Sequence, residues 1–366
     1  MNDQPPSKST FSGLTNLTPK GMILSLGIGL VGGWVFYMIT MPLPWMIGAM
    51  VFTAAAALSG AKLVQPKRLR LAMVAILGVM LGSAFSPDTL DKIGAWPVTL
   101  ICLLIFSLLS TVVGTLLLIR FGRYGRVTAY FSAAPGGLNE MLLIGGSLGG
   151  DERVISLFHS TRILLTVLVI PMWYRLFEGY VPGKIVISNI MLKYGLMDGG
   201  LLLFCAVAGF WSAEKLKIPA GALIGPMILS STVHLFGLTA LGPPSLLIIA
   251  SQVVLGAAVG CRFVGYSLGR IVDVLYFALF TTFCTLVLAF AFAGTLAALT
   301  EFPFQALLLI FSPGGLVEMA LISLSLNIDV AFVSTHHLAR VMLIIILAPI
   351  LFRFLDRGLK KIQKKE

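Results

Sequence analysis

Two short runs hold most of the chemistry this sequence could perform: Pro135-Gly136-Gly137-Leu138 followed by Glu140-Met141, and Pro313-Gly314-Gly315-Leu316 followed by Glu318-Met319. Each lies within apolar sequence. Proline has no N–H and glycine is a poor helix former, so a helix should break at each run. A helix that restarts after Gly-Gly points unpaired N–H groups and a positive dipole end at its surroundings, which suits an anion or a substrate carboxylate. A kink for close packing is the alternative. With Gly137 or Gly315 as N-cap, Glu140 and Glu318 fall at the third helical position, where a carboxylate can satisfy free N–H groups. Binding a cation or proton, or pairing with arginine, are their other roles. Downstream stand Ser156, His159 and Arg162, and again Ser334, His337 and Arg340. A spacing of three puts each trio on one helix face. An arginine this deep in apolar sequence should turn inward, towards a carboxylate, backbone carbonyls or an anionic ligand. The histidines read equally as hydrogen-bonded packing residues. Pro135, Gly136, Gly137, Glu140, His159 and Arg162, with Pro313, Gly314, Gly315, Glu318, His337 and Arg340, are therefore the candidate solute-binding residues.

The duplication extends well beyond these runs. At the same shift of 178 positions Asp151 matches Asp329, Pro171 matches Pro349, Gly78 and Gly82 match Gly256 and Gly260, and Pro66 matches Pro244. At 177 positions Gly48 and Met50 match Gly225 and Met227. Asp151 and Asp329 read as helix N-caps. The Gly-x-x-x-Gly pairs read as close-packing surfaces. The expected organisation is a disordered tail over 1–20, a first membrane repeat over 21–180, a linker over 181–198, a second repeat over 199–356, and a basic tail over 357–366.

Elements able to position such residues must be membrane helices. Charged residues make up 11% of the chain against 58% apolar, far below the ~25% charge of a soluble domain. Six apolar segments recur per half, near 21–40, 43–60, 70–86, 94–119, 127–149 and 154–177, then 196–213, 219–238, 245–264, 271–298, 303–327 and 330–352. The fold class is therefore an all-α polytopic membrane protein with two homologous halves. If all six segments cross, Lys215, Lys217, Arg262 and Arg270 fall outside. If the broken segment is re-entrant, or some other segment fails to cross, each half crosses five times, the second half is inverted, and these residues return to the cytoplasmic side with both termini. Arg175, Lys184 and Lys193 then lie outside. The inverted repeat is favoured, a recurring transporter design with its site near the midplane. The net charge of +11 flanks membrane segments and does not form a nucleic-acid surface. Cys102, Cys205, Cys261 and Cys284 form no CxxC and read as small apolar packing residues.

On these paired motifs, and on the Ile47-Gly48-x-Met50 and Ile224-Gly225-x-Met227 segments, the chain resembles the bacterial AbrB membrane-protein family over about 22–356. That family is marked by an AbrB duplication in each half and linked to regulation of aidB expression. It is distinct from the small soluble DNA-binding protein of the same name. The second segment departs by having Gly221 where the first has Pro44. The resemblance implies a bacterial inner-membrane location and a regulatory role, and supplies no catalytic residues. The family has also been labelled an ammonia monooxygenase, which four histidines without metal-ligand spacing do not support. No cofactor, metal or enzymatic activity is expected. The expected partners are the bilayer and a small solute, with homo-oligomers left open and no direct contact with nucleic acid. The leading reading is a secondary transporter or exporter of a small, anionic solute. A membrane-embedded regulator or sensor acting indirectly on gene expression is the alternative.

Overall fold

The computed structural model describes residues 19–179, 195–266 and 268–363. Most of the expected tail and linker, with Lys184, Lys193 and the last residues of the basic tail, lies outside the described residues. Fifteen α-helices and no strand occur among them. They are α1 Pro19–Met38, α2 Pro44–Leu58, α3 Lys67–Gly82, α4 Pro87–Ile93, α5 Trp96–Arg120, α6 Arg126–Ala133, α7 Leu138–Ser147 and α8 Glu152–Phe177. After the linker come α9 Leu196–Lys215, α10 Gly221–Leu235, α11 Ser245–Gly260, α12 Leu268–Leu299, α13 Phe304–Phe311, α14 Leu316–Ser325 and α15 Val330–Gln363. The short α4, capped by Ser86, has no counterpart among the expected segments.

Among the described residues six helices are long and apolar enough to cross a membrane. The surface agrees with that reading. Ile101 and Ile105 of α5, Leu203, Phe204, Val207 and Trp211 of α9, and Phe283 and Val287 of α12 are exposed. On α5 the polar Ser107, Thr111 and Thr115 are buried instead, each hydroxyl donating to a carbonyl one turn back. A helix with apolar groups outside and self-satisfied hydroxyls inside suits lipid as its solvent.

Glycines set the helix contacts. Gly32 and Gly48 hold α1 and α2 at backbone distance, and Gly209 and Gly225 do the same for α9 and α10. Gly78 lies against Leu223 and Pro226, Gly82 against Met227 and Ser230, so α3 and α10 run in the same direction. Gly256 lies against Met46 and Ala49, and Gly260 against Thr53 and Ala54, so α2 and α11 also run together. The chain leaving α2 returns beside the start of α1, where Val64 N–H donates to Gly21 O at 3.3 Å. Hence α3 begins at the end where α2 finishes, and α2 and α10 point in opposite directions.

The bundle therefore has two distinguishable ends. One carries Lys62, Lys67, Arg68, Arg70, Arg120, Arg123, Arg126, Lys215, Lys217 and Arg262, and is called the basic end below. Tyr266 Oη donates to Arg153 O at 3.0 Å, which places the start of α8 there. At the opposite end α8 finishes, Arg175 Nη1 donating to Thr40 O at 2.6 Å. There α15 begins, with Lys92 4.0 Å from Asp329.

Candidate functional site

The interruptions are sharp and have a local cause. Ala134 and Ser312 precede the prolines and adopt extended backbone, with ψ of 128° and 135°. The proline ring disfavours the helical region for the residue before it, so α6 stops at Ala133 and α13 at Phe311. Gly137 and Gly315 are the N-caps of the restarting helices.

Each interrupted segment turns back on itself. Asp151 N–H, just after α7, donates to Thr128 Oγ1 at the start of α6 at 3.0 Å. The segment thus enters and leaves at the basic end. In the second half, Tyr174 Oη donates to Gln305 O at 2.7 Å, placing the start of α13 beside the finish of α8. The Lys92–Asp329 pair places the segment's exit at that same end. The two hairpins therefore come in from opposite ends. Their legs of 8 and 10 residues rise ~12 and ~15 Å at 1.5 Å per residue, about half of a ~30 Å hydrocarbon layer.

Both tips reach α15. Gly136 faces Ile344 and Gly137 faces Val341. One residue before Val341, Arg340 grips the other tip, Nη1 donating to Ser312 O at 2.8 Å and Nη2 to Gly314 O at 2.6 Å. Arg162 holds its own tip in the same manner. Its Nη1 donates to Ala133 O at 3.2 Å and to Ala134 O at 3.3 Å, and its Nη2 to Ala134 O at 3.3 Å.

The histidines complete these latches. His159 Nε2 stands 2.8 Å from Phe131 O, and His337 Nε2 3.0 Å from Leu309 O. A carbonyl accepts only, so each Nε2 carries the proton and each Nδ1 is an acceptor. Arg162 Nη2 donates to His159 Nδ1 at 2.8 Å, and Arg340 Nη2 to His337 Nδ1 at 2.9 Å. The carbonyls served belong to the last turn of α6 and α13 and the residues just beyond, where helix carbonyls lack partners and the dipole is negative. Arginine is the apt group for both needs.

The glutamates do something else. The carboxylates of Glu140 and Glu318 lie back against Gly137 and Gly315, where a Cβ would otherwise stand. They face the first turns of α7 and α14, whose free N–H groups they suit. No ion pair within 4.0 Å joins Arg162 or Arg340 to a glutamate. The methionines of the motif, fully buried Met141 and Met319, lie against Gly136 and Gly314. The run Pro-Gly-Gly-Leu-x-Glu-Met thus breaks a helix, admits a methionine over the first glycine and folds a carboxylate over the second.

The trio serines split. Ser334 is buried and donates to Val330 O of its own helix, while Ser156 is half-buried. His336, unpaired in the repeat, packs on Trp96 and bonds Thr99 Oγ1 at 2.7 Å. Asp151 accepts from the backbone N–H of Arg153 and Val154, and Asp329 from that of Phe332, as helix caps do.

Several buried donors around the tips have no partner within the protein. They include Nε of both Arg162 and Arg340 and the hydroxyls of Ser132, Ser160, Thr161 and Thr166. Buried polar groups are seldom left unsatisfied. Such a region can bind water or a polar solute. No three His, Cys, Asp or Glu side chains converge among the described residues in a way that could hold a metal ion.

A polytopic α-helical membrane protein with two inward-folded broken hairpins, each latched by a buried Arg–His pair, is the class that this architecture defines. The chain belongs to the AbrB family: residues 45–356 match the family model described as "Transition state regulatory protein AbrB". It is similar to "Uncharacterized protein YhjN" of Bacillus subtilis, 27% identical over 93% of this chain and 94% of that one. It is similar also to "Putative regulator AbrB" of Escherichia coli, 25% identical over 92% of this chain and 96% of that one. Neither the family description nor the two names refers to an enzyme.

Proposed function

We propose that this protein is a secondary transporter of a small, anionic solute, built as an inverted repeat of five crossings and one re-entrant hairpin per half. The observation that carries the reading is the pair of broken hairpins, entering from opposite ends, one tip held by Arg162 and the other by Arg340 and both against α15. Paired interrupted helices near the midplane form the binding region in many transporters, and two halves pointing opposite ways can alternate access. Opposed α2 and α10, and opposed α8 and α15, support the inversion. Basic residues gathered at one end support a cytoplasmic basic end with both termini there, in a bacterial inner membrane.

The alternative is a membrane-embedded regulator or sensor that binds a ligand without moving it. It is favoured by the regulator named in the Escherichia coli relative, and any effect on gene expression would be indirect. Counterflow in proteoliposomes separates the two. Vesicles are loaded with unlabelled organic acids and given trace amounts of each in labelled form outside. At least one label should accumulate in a protein-dependent way. Accumulation identical in protein-free vesicles for every acid, alongside a ligand-induced rise in melting temperature, would replace transport by sensing.

A further inference from the structure

The two hairpins match in sequence, but their second legs are covered to different extents. Of the ten residues of α14 seven are buried, Val317 and Leu321 among them. Of the ten of α7 two are, Met141 and Gly145. At the repeat shift of 178 positions Asn139, Leu143 and Ser147 correspond to Val317, Leu321 and Ser325. Residues four apart share one helix face, so the stripe covered on α14 is the one laid bare on α7. Leu143 is 74% exposed and Leu321 1%. Asn139 and Ser147 are exposed as well, whereas Ser325 is half-buried.

The covering differs because the surroundings differ. Leu316, Val317 and Leu321 belong to one continuous apolar core with Leu77, Met80 and Leu81 of α3. Met141 belongs to a separate core built with Phe131 of α6, Ile155 of α8 and Ile344 of α15, with no described residue of α2, α3, α10 or α11 in it. Lipid does not suit the bare stripe. Asn139 stands at the second position of α7, at the hairpin tip, and at 1.5 Å per residue it lies ~12 Å deeper than Ser147. A side-chain amide without partners in hydrocarbon is costly, and the carboxylate of half-buried Glu140 beside it would be costlier. Water along this face removes both costs.

We propose that the stripe of Asn139, Leu143 and Ser147 lines a water-filled crevice, open at the basic end, through which a small polar solute reaches the first hairpin tip. It rests on the solute-binding part of the preceding reading and not on transport. Asn139 stands at the inner end of the crevice, with an amide that can both donate and accept. Leu143 forms the wall between. Ser147 stands at the mouth, its hydroxyl spent on Ile144 O at 2.8 Å. The second tip has no such approach along α14, because Val317 and Leu321 are packed into the core. The molecule is therefore open towards the basic end and closed towards the other, although its hairpins match.

The test is the rate at which a small, permanently charged reagent, trimethylammonium-ethyl methanethiosulfonate, modifies single cysteines in membrane fragments open to both faces. The native cysteines are replaced by alanine. Leu143→Cys and Asn139→Cys are compared with Phe283→Cys, which is 66% exposed near the middle of α12. The thiolate is the reacting form, and a thiol that faces lipid neither ionises nor meets a charged reagent. Leu143→Cys and Asn139→Cys should therefore react roughly tenfold faster or more than Phe283→Cys. In SDS all three should react alike, which shows that each thiol is intact. Both α7 positions are exposed, so neither substitution disturbs packing. Modification of Leu143→Cys no faster than Phe283→Cys would mean that the stripe faces lipid. A disulfide-linked dimer of the Leu143→Cys variant would mean that a second copy covers it. Fast reaction at Leu143→Cys with slow reaction at Asn139→Cys would mean that water stops short of the tip. Each of these three results overturns the crevice. Counterflow that persists in that case would leave the transport reading standing.

Discussion

Arg340→Gln should destabilise the purified protein by about 3 kcal/mol, and removing Glu318 as well should not rescue it. Arg340 serves the carbonyls of Ser312 and Gly314 and the Nδ1 of His337. Its loss strands buried acceptors, and each stranded buried group costs about 1–3 kcal/mol. A guanidinium that neutralised Glu318 would behave differently. Removing both partners would then leave no charge stranded, and the double variant Arg340→Gln/Glu318→Gln would recover most of the stability. Because the two groups are not in ion-pair contact, their effects should instead add to within about 0.5 kcal/mol. Arg162→Gln should be milder, since its carbonyl bonds are 3.2–3.3 Å against 2.6–2.8 Å for Arg340. Detergent melting of the single and double variants decides the matter. A rescued double variant would restore the ion-pair account.

Gly225→Leu should abolish accumulation of folded protein, and Gly48→Leu should do the same. A Cβ at Gly225 would overlap the Gly209 carbonyl, and one at Gly48 the Gly32 carbonyl. Backbone cannot rotate aside as a side chain does, so α9 and α10, or α1 and α2, would have to separate along their whole contact. Overpacking of flexible cores already costs about 1–3 kcal/mol, and a leucine against rigid backbone exceeds that. Gly27 provides the control, because it faces open space. Gly27→Leu should leave the protein at native abundance or above it, since glycine is ~1 kcal/mol worse than a good helix former. Membrane abundance and size-exclusion profiles of the three variants report the outcome. Native profiles for Gly225→Leu would mean that α9 and α10 are not in backbone contact.

Much of this architecture was legible because its signals are local. The breaks follow from proline and glycine chemistry, the two aspartate caps from their places before α8 and α15, and the close contacts from glycines spaced by four. The six segments per half matched because lipid-facing helices must be apolar along their length. The targets of the arginines were not legible. Arg162 and Arg340 announce a buried charge, but which carbonyls are free depends on where α6 and α13 stop and how the hairpins fold back. For the same reason the glutamates invited an ion pair, whereas each carboxylate stays over its own glycine. The short α4 lacks the length and the apolar run that mark a crossing.

The central claim is that the two broken segments are hairpins entering from opposite sides of the membrane. Single cysteines test it most directly, placed in protein whose native Cys102, Cys205, Cys261 and Cys284 are replaced by alanine. Arg120→Cys and Ser147→Cys flank the first hairpin, and Glu301→Cys and Ser325→Cys the second. Each is treated with a membrane-impermeant maleimide in intact spheroplasts and in inside-out vesicles. Arg120→Cys and Ser147→Cys should label only in inside-out vesicles, and Glu301→Cys and Ser325→Cys only in spheroplasts. Labelling of Arg120→Cys and Ser147→Cys from different sides, or of all four from one side, would contradict the account.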